Sequence, residues 1–179
     1  MVRKKPARVL AERGARGNNR RVPARDLGPR VFIPPPLVFI AGWIVAWVLD
    51  RRLEFAIDGA GPTIPQVVIG GALSTAGFGL MAWGIITFRR RRTPVVPVQP
   101  ARLVVEDGPY RFTRNPMYFG LTVAYVGIAA LANQAWPLVI LPVVLFVVSA
   151  AIIEREERHL RQRFGAAYED YCSRVRRWI

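Results

Sequence analysis

The chain has 179 residues, 52% of them hydrophobic, with mean hydropathy +0.22 and a formal net charge of +14. A soluble domain seldom combines these, whereas a membrane protein with basic segments between apolar spans does; because the charge lies beside apolar spans, it points to a membrane bilayer and not to nucleic acid. One cysteine, Cys172, excludes an intrachain disulfide and a cysteine metal cluster, and one histidine, His159, argues against a histidine-built metal site.

Residues 1–30 are polar, rich in Arg, Gly and Pro, and have no hydrophobic period, so they read as a disordered basic arm. The arginine pair in NNRRVPARDL is faintly similar to a twin-arginine export signal. The apolar run after it holds Pro34, Pro35 and Pro36 and has no small-residue cleavage site, which argues against export. That run, 31–49, is the first expected span, with the prolines confined to its first turn or an extended lead-in. Trp43 and Trp47 share one face of it at i, i+4. A polar loop follows at 50–63, with Gly59, Gly61 and Pro62.

The second expected span is 64–88. It carries Gly70, Gly71, Gly77, Gly79 and Gly84, and small residues let a neighbouring helix, or a ligand, approach the backbone closely. Arg89 to Arg92 stop it, since an arginine at the bilayer centre costs about 2.5–3.5 kcal/mol on insertion scales. Residues 93–107, with Pro94, Pro97 and Pro100, read as an extended connector on the membrane surface. The third and fourth spans are expected at 117–132 and 136–153. The turn between them, at Asn133 and Gln134, is so short that they form an antiparallel hairpin. A charged, amphipathic tail ends the sequence, helical over about 154–173. Leu160, Phe164, Tyr168 and Tyr171 fall on one face of it, and Gly165 is a natural bend.

Charge gives the orientation. Ten basic residues lie in 1–30, seven in 89–116 and seven from 154 onward, so 24 of the 26 fall on one side of this four-span arrangement. By the positive-inside rule that side is the cytoplasm. The fold class expected is therefore an all-α integral membrane protein. It has four transmembrane helices, a cytoplasmic C-terminal helix and both termini cytoplasmic, in the plasma (inner) membrane.

Two polar clusters share that side. In 108–120, GPYRFTRNPMYFG, Arg114 and Asn115 can hold an anionic group. Pro116 suits the first turn of the next helix, and Tyr110 and Tyr118 supply an apolar wall. The hairpin returns Glu154, Glu156 and Glu157 to the same rim. Glu154 and Glu157 have basic residues four further on, Arg158 and Arg161, and helix-surface pairs would account for them; Glu156 has none. Such a rim can hold a zwitterion with a ring system: Arg114 for a carboxylate, a glutamate for an ammonium, tyrosines for a ring or a sulfonium. S-adenosyl-L-methionine has all these parts. The same residues also read as a basic, aromatic membrane-edge anchor.

GPYRFTRNPMYFG together with EREERHLRQRFGAAYEDYCSRVRRWI resembles the isoprenylcysteine carboxyl methyltransferase and phospholipid N-methyltransferase superfamily. Its pattern, G-x-Y-x-x-x-R-H-P-x-Y-x-G, a hairpin, then E-E-x-x-L-x-x-x-F-G-x-x-Y-x-x-Y, falls here on Gly108, Tyr110, Arg114, Asn115, Pro116, Tyr118 and Gly120, then on Glu156, Glu157, Leu160, Phe164, Gly165, Tyr168 and Tyr171. Gly77-Phe78-Gly79 is similar to a GxG that the phospholipid branch uses with the glutamate pair. Asn115 departs from the family's histidine and has no acid–base chemistry near neutral pH.

The resemblance implies that 31–179 is a membrane methyltransferase domain using S-adenosyl-L-methionine on a lipid or prenylated acceptor. Arg114, Asn115 and Tyr118 would be catalytic. Gly77, Gly79, Tyr110, Arg114, Asn115, Tyr118, Glu156, Glu157 and Tyr168 would contact the cofactor, with no metal. A carboxylate acceptor needs no base, whereas an amine or thiol must first lose a proton. Two other classes fit in part. Membrane sterol reductases, which use NADPH, have a similar R-x-P-x-Y and acidic, aromatic tail but are much longer; a non-catalytic protein could hold anionic lipid. His159 reads as an exposed helix residue and Cys172 as an ordinary thiol. Oligomeric state leaves no signal in the sequence.

Overall fold

The computed structural model describes residues 34–59, 61–91 and 103–178. The arm at 1–30, the start of the first expected span and most of the proline connector lie outside the described residues. Four apolar helices make the body: α1 (Pro35–Asp50), α2 (Ile64–Arg90), α3 (Pro116–Leu131) and α4 (Trp136–Val147). Their starts follow from local chemistry. Pro34 precedes α1, and Pro35 and Pro36 fill its first two positions, where no N–H is needed. Thr63 caps α2, its Oγ1 accepting from the Gln66 N–H at 3.4 Å. Among the described residues there is no strand, only an isolated antiparallel bridge between Ala56 and Gln134.

Among the described residues, two helices are long and apolar enough to cross a membrane: α2, with 27 residues, and the continuous helix Trp136–Phe164, with 29. α1 and α3 have 16 residues each, about 24 Å at 1.5 Å per residue. That is less than a hydrocarbon core of about 30 Å. Outward-facing apolar side chains are numerous: Ile40 and Ile44 on α1, Val68 and Ile69 on α2, Val143 and Phe146 on α4 are all more than half exposed. A belt of that size on a soluble monomer would be an aggregation surface, whereas lipid covers it.

Glycine spacing sets the tightest seam. Gly70, Gly77 and Gly84 recur every seven residues on the face of α2 that meets α3. A Cβ on Gly77 would stand 2.5 Å from the Gly120 carbonyl oxygen and 2.4 Å from the Ala124 nitrogen; one on Gly70 would stand 2.9 Å from the Gly127 carbonyl oxygen. The two backbones therefore touch directly, as small-residue helix pairs do in membranes. Gly71 and Gly79, on the other face, meet nothing within 4 Å.

The far end of the bundle is a polar clasp. Asn133, at φ +53°, donates from Nδ2 to the Asp58 carbonyl at 2.7 Å and accepts on Oδ1 from the Asp58 N–H and from Gln66 Nε2. Trp136 Nε1 donates to the Leu53 carbonyl at 2.7 Å. The 50–63 loop is thereby pinned to the α3–α4 turn.

The cytoplasmic helix expected over 154–173 is not a separate element. α4, with Pro142 inside it, runs through a π-helical stretch, Val148–Ile153, into α5 (Glu154–Phe164). Val148, Ile152 and Ile153 are fully buried there. Gly165, at φ +53°, then breaks the helix at the expected bend, and α6 (Ala166–Arg174) sets off anew.

Candidate functional site

The rim is built from the 108–115 stretch, the start of α3, the head of α5 and the chain from α6 to Trp178. Gly108, at φ +57°, opens a 3-10 turn, Gly108–Arg111, pressed on the end of α2: a Cβ there would stand 2.7 Å from Thr87 Oγ1. An ion pair between Arg91 and Asp107 closes the base of this turn. Tyr110 is thus driven inward, its ring 5.0 Å from that of Phe88. Its carbonyl accepts from the Tyr171 hydroxyl at 2.8 Å.

The end of the described chain is stitched to the same stretch. The Arg114 N–H donates to the Arg176 carbonyl at 3.0 Å, and Thr113 Oγ1 and Asn115 Nδ2 both donate to the Arg177 carbonyl, at 3.1 and 3.0 Å. The Asn115 amide is therefore engaged by the protein's own backbone. Asparagine has the donor for this and no proton to exchange near neutral pH.

The adjacent glutamates occupy opposite electrostatic situations. Glu157, 3% exposed, meets Arg114 Nη1 at 3.2 Å, Arg177 Nη2 at 2.7 Å and Arg161 Nη2 at 3.8 Å. Arg177 Nε completes a two-pronged contact at 3.1 Å. The Glu157–Arg161 pair expected from i, i+4 spacing is present but is the longest of the three. Among the described residues Glu156 has no ion pair; the Tyr118 hydroxyl donates to its Oε1 at 2.8 Å. A carboxylate withdrawn from water with one neutral donor is under-compensated, and a cation beside it would be strongly favoured.

Two further groups lack partners. The Tyr110 hydroxyl and Arg114 Nε are buried without a hydrogen-bond partner among the described residues. Burial raises the Tyr110 hydroxyl well above its ordinary range, and Tyr171 and Glu156 push the same way. It therefore stays protonated, a neutral donor. Tyr168 is buried, its ring 6.1 Å from that of Tyr171 and 6.0 Å from the Arg161 guanidinium.

Of the residues the sequence singles out, Tyr110, Arg114, Asn115, Tyr118, Glu156, Glu157 and Tyr168 gather at this rim. Gly77 is brought to the α3 backbone instead, and Gly79 faces open space. Two expectations are corrected. Cys172 is no bystander, since its Sγ accepts from Arg114 Nη1; His159 is half-buried, not exposed, with Nε2 unpartnered among the described residues. Thr113 and Arg177 escape sequence reasoning altogether, because their contacts join positions 64 residues apart.

The sequence profile of the phospholipid methyltransferase family matches residues 65–167, from the first turn of α2 into α6. The chain belongs to the phospholipid methyltransferase family. The matched part of this family member holds Gly77 through Glu157, including both polar clusters, while Tyr168, Tyr171 and Arg177 lie just beyond it. Protein-S-isoprenylcysteine O-methyltransferase B of Arabidopsis thaliana is 30% identical over 93 residues, which is 51% of this chain and 47% of that protein. The chain thus matches about half the length of that relative. Family membership and the two long apolar helices together support association with a membrane.

Proposed function

We propose that the protein is an integral-membrane methyltransferase that uses S-adenosyl-L-methionine to methylate a lipidic or prenylated acceptor at the cytoplasmic face. The observation that carries this is Glu156: a carboxylate at the rim, hydrogen-bonded to Tyr118, with no cation among the described residues. An α-ammonium supplies what it lacks. The unpartnered Tyr110 hydroxyl and Arg114 Nε offer donors for the same zwitterion, the latter for its carboxylate, and the rings of Tyr110 and Tyr168 suit its apolar parts. The donor set therefore fits the cofactor. Arg114 keeps its Nη1 on Glu157 and has Nε free, so the glutamates divide their work: Glu157 fixes Arg114, and Glu156 faces the ligand.

When bound, S-adenosyl-L-methionine supplies a methyl group on a sulfonium, which leaves as a neutral thioether. The protein's part is positioning and exclusion of water. In-line geometry at near-attack distance supplies much of the rate in such displacements. Asn115, held on the Arg177 carbonyl, orients the rim and transfers no proton near neutral pH. A carboxylate acceptor accordingly suits the site without further chemistry, and an amine or thiol must arrive deprotonated. In purified protein, calorimetry should show S-adenosylhomocysteine binding and no binding of NADPH. The reverse result would favour a reductase, and binding of neither would remove this reading. Labelled S-adenosyl-L-methionine incubated with a membrane lipid extract then identifies the product.

The same reading places all four apolar helices across the membrane, with residues 1–30 as a cytoplasmic arm, 31–179 as the methyltransferase domain and both termini inside the plasma (inner) membrane. The support is the 24-of-26 charge asymmetry. In a Cys172→Ser background, a cysteine at exposed Gly59 should react with an impermeant maleimide added outside, and one at exposed Phe112 should not. Labelling of Phe112→Cys from outside would invert the topology.

A further inference from the structure

The buried hydroxyl of Tyr125 also lacks a hydrogen-bond partner among the described residues, and it lies away from the rim. Tyr125 is seven residues beyond Tyr118 on the same face of α3, about 10 Å deeper at 1.5 Å per residue. It is 5% exposed, and its ring stands edge-on to Phe39 at 5.9 Å and to Trp43 at 5.3 Å, both on α1. Gly42 of α1 makes room for Val144, since a Cβ there would stand 2.4 Å from Val144 Cγ2, and it lies in ordinary contact range of the hydroxyl, at 3.5 Å. Tyr118, Tyr125 and Val144 belong to one continuous core cluster, so packed apolar side chains connect the rim to this hydroxyl.

Phe39, Trp43, Gly42 and Val144 present no side-chain acceptor. Phenylalanine would fill the same place and leave no buried donor unsatisfied, so inside the protein the hydroxyl is a liability. It gains a purpose only if an acceptor atom arrives from elsewhere. A prenyl chain has none at that depth. An acyl glycerolipid does, in the ester carbonyls that join headgroup to chain.

We propose that Tyr125 is a specificity-determining residue, its hydroxyl donating to an ester carbonyl of an acyl-lipid acceptor whose reactive group lies at the rim beside Tyr118 and Glu156. This rests on the reading of the rim as a methyl-transfer site for a lipid. The chain enters between α1 and α3, where Trp43 is only half-buried.

The test compares equilibrium binding of dioleoyl phosphatidylethanolamine with that of its dialkyl ether counterpart, which keeps headgroup and chains but has methylenes for carbonyls. Full-length protein in detergent micelles is used, with no cofactor, and tryptophan fluorescence is the readout. Wild type should bind the ester about fivefold more tightly, the value of one neutral hydrogen bond. Tyr125→Phe should bind both lipids alike, at the strength of the wild-type ether complex, with a thermal midpoint unchanged or raised. Equal binding of ester and ether by wild type, weak binding of both, or a preference kept by Tyr125→Phe would overturn the assignment. The wild-type comparison needs no variant to fold. Because no cofactor takes part, failure here is separate from failure of the S-adenosylhomocysteine calorimetry that tests the rim.

Discussion

Glu157→Ala should destabilise the protein by about 3–5 kcal/mol, the usual cost of removing one member of a buried charge group and stranding the rest. Glu157 is 3% exposed and holds Arg114, Arg161 and Arg177 together. Without it Arg114, 13% exposed at its side chain, remains beside Arg177 with no carboxylate at ion-pair distance among the described residues. The chain end docked over the rim loses its side-chain tie at the same time. Arg114→Ala and Arg177→Ala should each cost less, because Glu157 keeps another arginine in either case. The two changes made together should exceed the sum of the singles, since contacting members of one network do not add. Denaturant or thermal unfolding in detergent measures all four. A Glu157→Ala protein as stable as wild type would mean that the network is loose in solution and contributes nothing to the fold.

Glu156→Gln should leave stability unchanged or slightly improved and remove most affinity for S-adenosylhomocysteine. Glutamine keeps the shape and the acceptor that Tyr118 uses, and it relieves a half-buried negative charge. What it loses is the charge opposite the ligand's ammonium. Truncating one side of a buried, hydrogen-bonded charge pair costs about 2–5 kcal/mol, or roughly 30- to 4000-fold in affinity at 1.4 kcal/mol per tenfold. The exposed neighbour Glu154 is the control, and Glu154→Ala should bind like wild type. Calorimetry on these variants separates the two glutamates that the sequence presents as one motif: Glu157 is read by stability and Glu156 by binding. If Glu156→Gln binds S-adenosylhomocysteine as wild type does, the rim is an anchor and the proposed cofactor site loses its physical basis.

Much of this protein is legible in its sequence, because the signals are local or compositional. Apolar runs bounded by arginine and by proline give the four helices to within a few residues, since a charge is costly mid-span and proline suits a helix's first turn. Gly165 marks the break between α5 and α6 because the backbone there needs positive φ. The short turn at Asn133 forces the hairpin, and the hairpin forces the two polar clusters to one rim, which is why seven of the singled-out residues meet. The unpaired state of Glu156 is also foreseeable from the absence of a basic residue four positions on.

Other features were decided only by the tertiary structure, because they depend on contacts between distant positions. Whether a glycine serves a ligand or a helix depends on which face it occupies: Gly77 lies against Gly120 and Ala124, while Gly79, two residues on, points to open space. The π-helical stretch that carries α4 into α5 has no local signature in VSAAII. Arg177 reaches Glu157 across 20 residues and Asn115 across 62. So the assignment of one glutamate to the protein's own arginines and the other to a ligand rests on the folded-back chain end. The sequence by itself determined a basic, helical, membrane-suited chain with a carboxylate- and tyrosine-lined rim; the fold decided which of those charges are already neutralised. Pairing of buried ions is a matter of distances of a few ångströms, and no spacing along the chain encodes them.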